Sequence, residues 1–301
     1  MTAFDRSTVA VSGGDLVVID EGEGPAVLLL HGFPTSSHLW RDLVPILAVR
    51  HRVIAPDLLG YGASEKPLDA PLDVTSQTTY ARELLDHFGV DRVALVGHDI
   101  GGGVAQLLTG DKRVEAVALI DPIVHGAWPV EGVRRLQAKS DVDGSLVERF
   151  VRVSFDLGMG HRDRLSAEDA EAYLAPWRDE PAAFGRAARA LDGQGLRGVH
   201  EDLARFEGPA FVLWGEDDPF LPSSLAEPLG ESFPDAGVAL LPGCGHYVTE
   251  DAPETVLPIV TQFLRNRYLG EAGHDHDHGP VGIDLGVSFD RPPPPDDLVD
   301  E

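Results

Sequence analysis

One acid stands inside a run of glycines: Gly97-His98-Asp99-Ile100-Gly101-Gly102. The run directly follows the short apolar segment Val93–Val96 and precedes a helical pattern starting near Gly103. Glycines two before and two after a central residue allow the strained strand-to-helix turn called a nucleophile elbow. Such a turn lifts the central side chain to a helix N-terminus, where backbone N–H groups and the helix dipole favour negative charge. Serine is the usual occupant; here it is Asp99. A carboxylate arrives already ionised, so it can attack a saturated carbon bearing a leaving group without first losing a proton. Against a carbonyl it would give a mixed anhydride, which makes ordinary ester hydrolysis a poor fit.

The groups such an attack needs next stand at the ends of other apolar runs. His31-Gly32-Phe33-Pro34 follows Ala26–Leu30. In a strand-elbow-helix architecture the N–H after the nucleophile and an N–H from this early loop form an oxyanion hole. The candidates are the backbone N–H groups of Phe33 and Ile100. Trp214-Gly215-Glu216-Asp217-Asp218-Pro219 follows Ala210–Leu213, and Gly245-His246-Tyr247 follows Val238–Leu241. Nucleophile, acid and base in the chain order 99, 218, 246 suit this arrangement, with His246 as the base and Asp218 as its orienting partner. Asp121, which ends the run Val117–Ile120, is a rival orienting acid. Asp57, in Asp57-Leu58-Leu59-Gly60-Tyr61-Gly62-Ala63-Ser64, reads as a structural loop residue.

The elements that must position these residues alternate regularly. Ala26–Leu30, Val53–Ala55, Val93–Val96, Val117–Ile120, Ala210–Leu213 and Val238–Leu241 are brief and bounded by Gly, Pro, Asp or His. Those are the marks of strands buried on both faces of a parallel sheet. Ser37–Val49, Thr75–Phe88 and Pro253–Tyr268 carry apolar residues at helical spacing between and after them. The pattern predicts an α/β fold built on a mostly parallel, doubly wound sheet. Its rhythm breaks between about Ile123 and Phe206, a stretch of short helical patterns holding Trp128, Phe150, Phe155, Met159, Tyr173, Trp177 and Phe184. A helical insertion after one strand forms a cap over the strands' C-terminal ends, where such sheets bind ligands. The expected organisation is a core of residues 1–122 and 207–270, a helical cap of residues 123–206, and a tail of residues 271–301.

Composition bounds the partners. Hydrophobic residues make up 43% and charged residues 25% of the 301, which suffices for a sizeable core. Against 24 Lys and Arg stand 50 Asp and Glu, a net charge of −26. That balance argues against nucleic acid and against an anionic membrane surface. Cys244 is the single cysteine, which excludes an internal disulfide and a cysteine metal cage. No apolar run approaches the ~20 residues of a membrane span, and Met1 to Asp20 shows no secretion signal. The tail holds nine acids and one base, and Pro292 to Pro295 are consecutive; it is expected to be disordered. Its His274, His276 and His278 alternate with Asp275 and Asp277, but no distant ligand joins them, and no metal or cofactor is expected. A cytoplasmic protein acting on a small molecule fits these bounds. The sequence sets no oligomeric state.

Over roughly residues 7 to 269 the chain resembles α/β-hydrolase-fold enzymes of the branch containing epoxide hydrolases and haloalkane or haloacid dehalogenases. His31–Pro34, Asp57–Ser64, the elbow at Asp99, the Gly215–Asp218 turn and His246 carry the resemblance. It implies that Asp99 forms a covalent alkyl-enzyme ester, which water activated by His246 then hydrolyses. The leaving-group parts depart from each relative. Haloalkane dehalogenases usually place Trp after the nucleophile and often Asn in the early loop; here Ile100 and Phe33 stand there. Fluoroacetate-type enzymes hold a substrate carboxylate with arginine, where this chain has Ile100 and Gly103. Epoxide hydrolases generally use two cap tyrosines, and this insertion has one, Tyr173. The reading is an epoxide hydrolase acting on a small, neutral, apolar substrate, with a haloalkane-type dehalogenase as the alternative. His125, Trp128, Tyr173 and Trp177 are the candidate substrate-binding groups. A non-hydrolytic binding or rearrangement protein on the same fold is the third reading.

Overall fold

The computed structural model describes residues 4–268 and opens with two strands that are not among those read from the sequence. β1 (Arg6–Val11) is almost entirely exposed and buries only Val9, so it carries no apolar run. It pairs antiparallel with β2 (Gly14–Glu21), which in turn pairs antiparallel with β4 (Arg52–Pro56). The strands read from sequence follow, β3 (Ala26–Leu30) with the bounds of its apolar run and each other strand longer than its own: β4, β5 (Val93–His98), β6 (Val114–Ile120), β7 (Ala210–Gly215) and β8 (Ala236–Leu241). Eight strands lie in the order β1-β2-β4-β3-β5-β6-β7-β8, and every pair from β4 to β8 is parallel. All residues of β3, β5 and β7 are buried, as strands covered on both faces must be.

Ser37–Val49 does not form the single helix its periodicity suggests. A 3-10 turn, Ser37–Trp40, is followed by a separate short helix, α1 (Val44–Leu47). Pro45 causes the break: it has no N–H to continue a preceding helix, yet it fits the first turn of a new one. α2 (Val74–His87) starts where the Asp73 carboxylate accepts from the Thr75 and Ser76 N–H groups. α3 (Ile100–Leu108) begins at Ile100 rather than near Gly103, because it takes over directly from the elbow residue.

Between β6 and β7 the chain is helical, in α4 (Glu131–Gln137), α5 (Gly144–Gly158), α6 (Ala167–Arg178), α7 (Pro181–Ala190) and α8 (His200–Leu203). α9 (Ala226–Glu231), α10 (Val248–Asp251) and α11 (Pro253–Arg267) complete the fold. The insertion is fastened to the core by aromatic packing and by buried charge. Phe33 of the early loop packs against Phe150 of α5 and Phe184 of α7, at centroid distances of 5.8 and 5.0 Å. Arg41 makes two hydrogen bonds to Glu250 of α10, each 2.7 Å, and its Nε lies 3.0 Å from Asp169 of α6. No helix among the described residues is long and apolar enough to cross a membrane. The acidic tail and its histidines lie outside the described residues.

Candidate active site

β5 runs into α3 through a turn so tight that it sets Asp99 at φ 51°, ψ −118°. Residues other than glycine pay strain in this left-handed region, and such strain collects at functional sites. The neighbouring glycines let the chain close around it. A Cβ on Gly97 would lie 2.4 Å from the Gly101 carbonyl oxygen, and one on Gly101 would lie 2.1 Å from that of Leu30. Side chains at either position would force β3, β5 and α3 apart.

The two oxygens of the Asp99 carboxylate are placed differently. Oδ2 accepts from the Phe33 N–H at 2.8 Å, and the Ile100 N–H also bonds the carboxylate. Oδ1 is buried and has no partner. Burial pushes the Asp99 carboxyl up to about 6, while the nearby His246 charge and the two N–H bonds pull against that rise. At neutral pH the group remains mostly ionised. Both N–H groups read from the sequence thus reach the Asp99 carboxylate, that of Phe33 through Oδ2.

His246 stands on the loop after β8, and its Nδ1 is 2.8 Å from Oδ2 of Asp218, on the loop after β7. Asp218 is held in turn through Oδ1, which accepts from the N–H groups of Phe220 and Leu221 at 2.8 and 3.0 Å. His98 donates from Nε2 to the His246 carbonyl at 3.0 Å and backs the loop from below. Burial pulls the His246 imidazole down, but the charge and hydrogen bond of Asp218, with Asp99 and Asp121, overcome it and hold it at about 9. Asp121 lies close by, with φ 40°. Its Oδ1 accepts from the Gly215 N–H at 2.7 Å, and its Oδ2 is buried without a partner. Burial, and then the charge of Asp218, push its carboxyl well above the usual carboxylate range. The bond to His246 Nδ1 therefore belongs to Asp218.

Among the described residues, two groups of side chains have donor atoms within 4.8 Å of one another, the spacing a metal would require: Asp121, Asp218 and His246, and His161, Cys244 and Asp251. In the first, the ring nitrogen and a carboxylate oxygen already bond each other. In the second, the Asp251 carboxylate accepts from the N–H groups of Gly160, His161 and Gly245, which joins the end of α5 to the loop carrying His246.

Asp99 and His246 face a cavity of about 210 Å³ between the loops at the strand ends and helices α4 and α5. Phe33, Trp128, Phe150 and Phe220 supply aromatic wall, and Glu131 stands at its exposed edge. Among the described residues lining it there is no lysine or arginine. Of the four candidates for substrate contact, Trp128 lines the cavity and its indole N–H is buried without a partner. The other three are engaged elsewhere. Tyr173 donates to Glu250 at 2.5 Å, Trp177 Nε1 donates to the Pro34 carbonyl at 3.0 Å, and His125 Nδ1 lies 3.2 Å from the Gly193 carbonyl. Tyr173 and Trp177 thus fasten the cap to the core. Two polar groups that the sequence reading passes over, Ser154 and Tyr247, line the cavity with their hydroxyl oxygens 2.6 Å apart. Tyr247 directly follows His246, and Ser154 sits one turn beyond Phe150 on α5; those adjacencies were the available signals.

Residues 25–253 match the family described as alpha/beta hydrolase fold. The chain is similar to haloalkane dehalogenase 2 of Mycobacterium tuberculosis, with 30% identity over 86% of this chain and 94% of that one. It is also similar to a fluoroacetate dehalogenase of a Burkholderia species, with 32% identity over 89% and 96%. A soluble epoxide hydrolase of a Corynebacterium species shares 29% identity over 87% of this chain and 98% of its own.

Proposed function

We propose a covalent mechanism for this chain, which belongs to the α/β hydrolase fold family and is a hydrolase. The observation that carries the proposal is the division of labour within the Asp99 carboxylate. Oδ1 is free and attacks carbon; Oδ2 is already seated on the Phe33 N–H. Attack through Oδ1 forms a carbon–oxygen bond, expels the leaving group with its electron pair and makes Oδ2 the carbonyl oxygen of the new ester. No rearrangement is then needed for the second step, because that carbonyl oxygen sits where the oxyanion must be stabilised.

Forming the ester also removes the Asp99 charge, one of the influences that raise the His246 pKa. The imidazole is thereby shifted towards its neutral form at the stage when a base is needed. Water gives a proton to His246 and attacks the ester carbon, and the tetrahedral intermediate collapses to the Asp99 carboxylate and an alcohol. Asp218 keeps the imidazole in the tautomer and orientation this requires.

The aromatic cavity and its lack of cationic lining support a small, neutral, partly apolar substrate. Ring strain helps expel an epoxide oxygen, and the cavity offers hydroxyl groups beside Asp99, so an epoxide is the preferred substrate class. The unpartnered Trp128 indole N–H supports a second reading, in which it receives a departing halide. Incubating the His246→Ala variant with neutral epoxides and haloalkanes, and weighing the intact protein, tests both. An added mass equal to the whole epoxide supports the first reading, and the alkyl group alone supports the second. No adduct from any compound that the parent protein hydrolyses would rule out the covalent mechanism.

A further inference from the structure

We propose that the hydroxyl pair Ser154–Tyr247 receives and protonates the departing oxygen of a one-ring, apolar epoxide. This rests on Asp99 as nucleophile and adds the acid for the same reaction, together with the size of its substrate. Ser154 comes from cap helix α5 and Tyr247 from the core loop after His246, and their oxygens meet at 2.6 Å on the wall of the cavity that holds Asp99. Among the described residues lining that cavity, no other side chain carries a hydroxyl.

Each hydroxyl owns one proton, and the bond between them uses one of the two. The pair therefore retains one O–H for a third acceptor, whichever partner donates to the other. An alkoxide emerging beside Asp99 is such an acceptor. Tyr247 is fixed for the purpose: its ring lies 4.4 Å from Phe155 and 5.0 Å from His246, centroid to centroid, and the residue is 1% exposed. Burial and the charges of Asp99 and Asp218 hold its phenol protonated at neutral pH. It gives up a proton only to a stronger base, as a developing alkoxide is.

The step balances. Asp99 Oδ1 forms a bond to one epoxide carbon, and the bond from that carbon to the ring oxygen breaks with its electron pair moving to oxygen. The oxygen takes a proton from the pair and becomes the first hydroxyl of a diol. Hydrolysis of the ester by water then yields the second hydroxyl, the Asp99 carboxylate and one proton, and that proton restores the pair.

Volume sets the size of the remainder. An apolar protein cavity of about 150 Å³ holds one benzene molecule. The cavity here is about 210 Å³, room for one ring bearing the few extra atoms of an epoxide. Val153 and Leu157, 44% and 54% exposed, lie on α5 beside Ser154 and line the same cavity, which gives an apolar entrance next to the hydroxyl pair.

The test measures ester formation in a single turnover with a one-ring epoxide, by intact mass, in the His246→Ala background. Removing both hydroxyls, Tyr247→Phe together with Ser154→Ala, should slow it by roughly 10²–10⁴-fold, the usual contribution of a positioned acid. Each single variant keeps one hydroxyl and its proton and should slow the step by less. A normal solvent deuterium isotope effect on ester formation should be present with the pair intact and altered without it. Ester formation at an undiminished rate in the double variant would overturn the assignment while leaving Asp99 as nucleophile. An absence of ester with the pair intact would instead remove the underlying reading. Two-ring epoxides reacting as fast as one-ring ones would overturn the size limit.

Discussion

The Phe33 N–H donates to Asp99 Oδ2 at 2.8 Å, so at rest the nucleophile's own carboxylate fills half of the hole that later steadies an oxyanion. A serine at this elbow would leave that hole for the substrate's carbonyl oxygen. In the mechanism proposed here, aspartate makes the hole serve the enzyme's ester instead, and the substrate need bring no carbonyl. Oδ1 would then attack in the first step and Oδ2 be stabilised in the second.

Oxygen bookkeeping follows from that separation. With enzyme in excess, one turnover in heavy-oxygen water should label the peptide containing Asp99 and leave most product unlabelled. Direct attack of water on the substrate would place the label in the product and remove Asp99 as nucleophile. Asp99→Ala should abolish turnover, since no other group at the elbow can begin the reaction.

Asp99, Asp218 and His246 were legible because each stands at the C-terminal end of an apolar run, and a parallel sheet gathers those ends on one edge. The strand β1 was not, since a largely exposed strand leaves no apolar run, and β2 carries Leu16–Ile19 but pairs antiparallel outside the alternating pattern. The cap aromatics were legible as a group but not as individuals. Helical periodicity locates Tyr173 and Trp177 on α6, yet it cannot reveal that their polar atoms meet Glu250 and the Pro34 carbonyl, 77 and 143 residues away in sequence. Ser154 and Tyr247 are 93 residues apart and acquire meaning only through the fold.

Ester formation should depend on pH through Asp99. Its folded pKa is raised, to about 6, so the proton is held more tightly than in an exposed carboxyl. The rate should be level above that value and fall about tenfold per pH unit below it, as the ionised nucleophile is titrated away. In His246→Ala the imidazolium that favours the ionised form is missing, so the falling limb should move to higher pH. Rapid quench of the parent protein and intact mass of the variant give the two profiles; a limb that moved to lower pH would contradict the electrostatic account.

Substrate charge should matter as well. A carboxylate-bearing substrate would enter a cavity with Asp99 inside, Glu131 at its edge and no lysine or arginine among its described lining residues. Neutral analogues of matched size should be turned over much faster. A preference for the acid would mean that a cation outside the described lining reaches the substrate.

The joint between cap and core makes a prediction about stability. Arg41 and Glu250 are a largely buried pair, with side chains 17% and 2% exposed. Arg41→Ala leaves the Glu250 carboxylate buried without its counter-charge, a loss of about 3–5 kcal/mol. Urea unfolding should show that drop as a lower midpoint. Replacing both partners, with Arg41→Met and Glu250→Gln, should recover part of it, since the more deeply buried charge, that of Glu250, is then removed.

Two acids compete for the role beside His246, and their hydrogen bonds rank them. Asp218 Oδ2 is 2.8 Å from Nδ1, while Asp121 engages the Gly215 N–H and keeps its second oxygen unpartnered. Asp218→Asn removes the acceptor that fixes the imidazole tautomer, and by analogy with catalytic triads should slow ester hydrolysis by up to about 10⁴-fold. Ester formation does not use the imidazole as a base, so it should change far less, and the ester should accumulate. Asp121→Asn keeps an oxygen to accept from Gly215 and removes a carboxyl that burial already disfavours as an anion. It should therefore alter ester hydrolysis little. Measuring both steps in both variants decides the matter, because a large loss of ester hydrolysis confined to Asp121→Asn would transfer the orienting role from the loop after β7 to the end of β6.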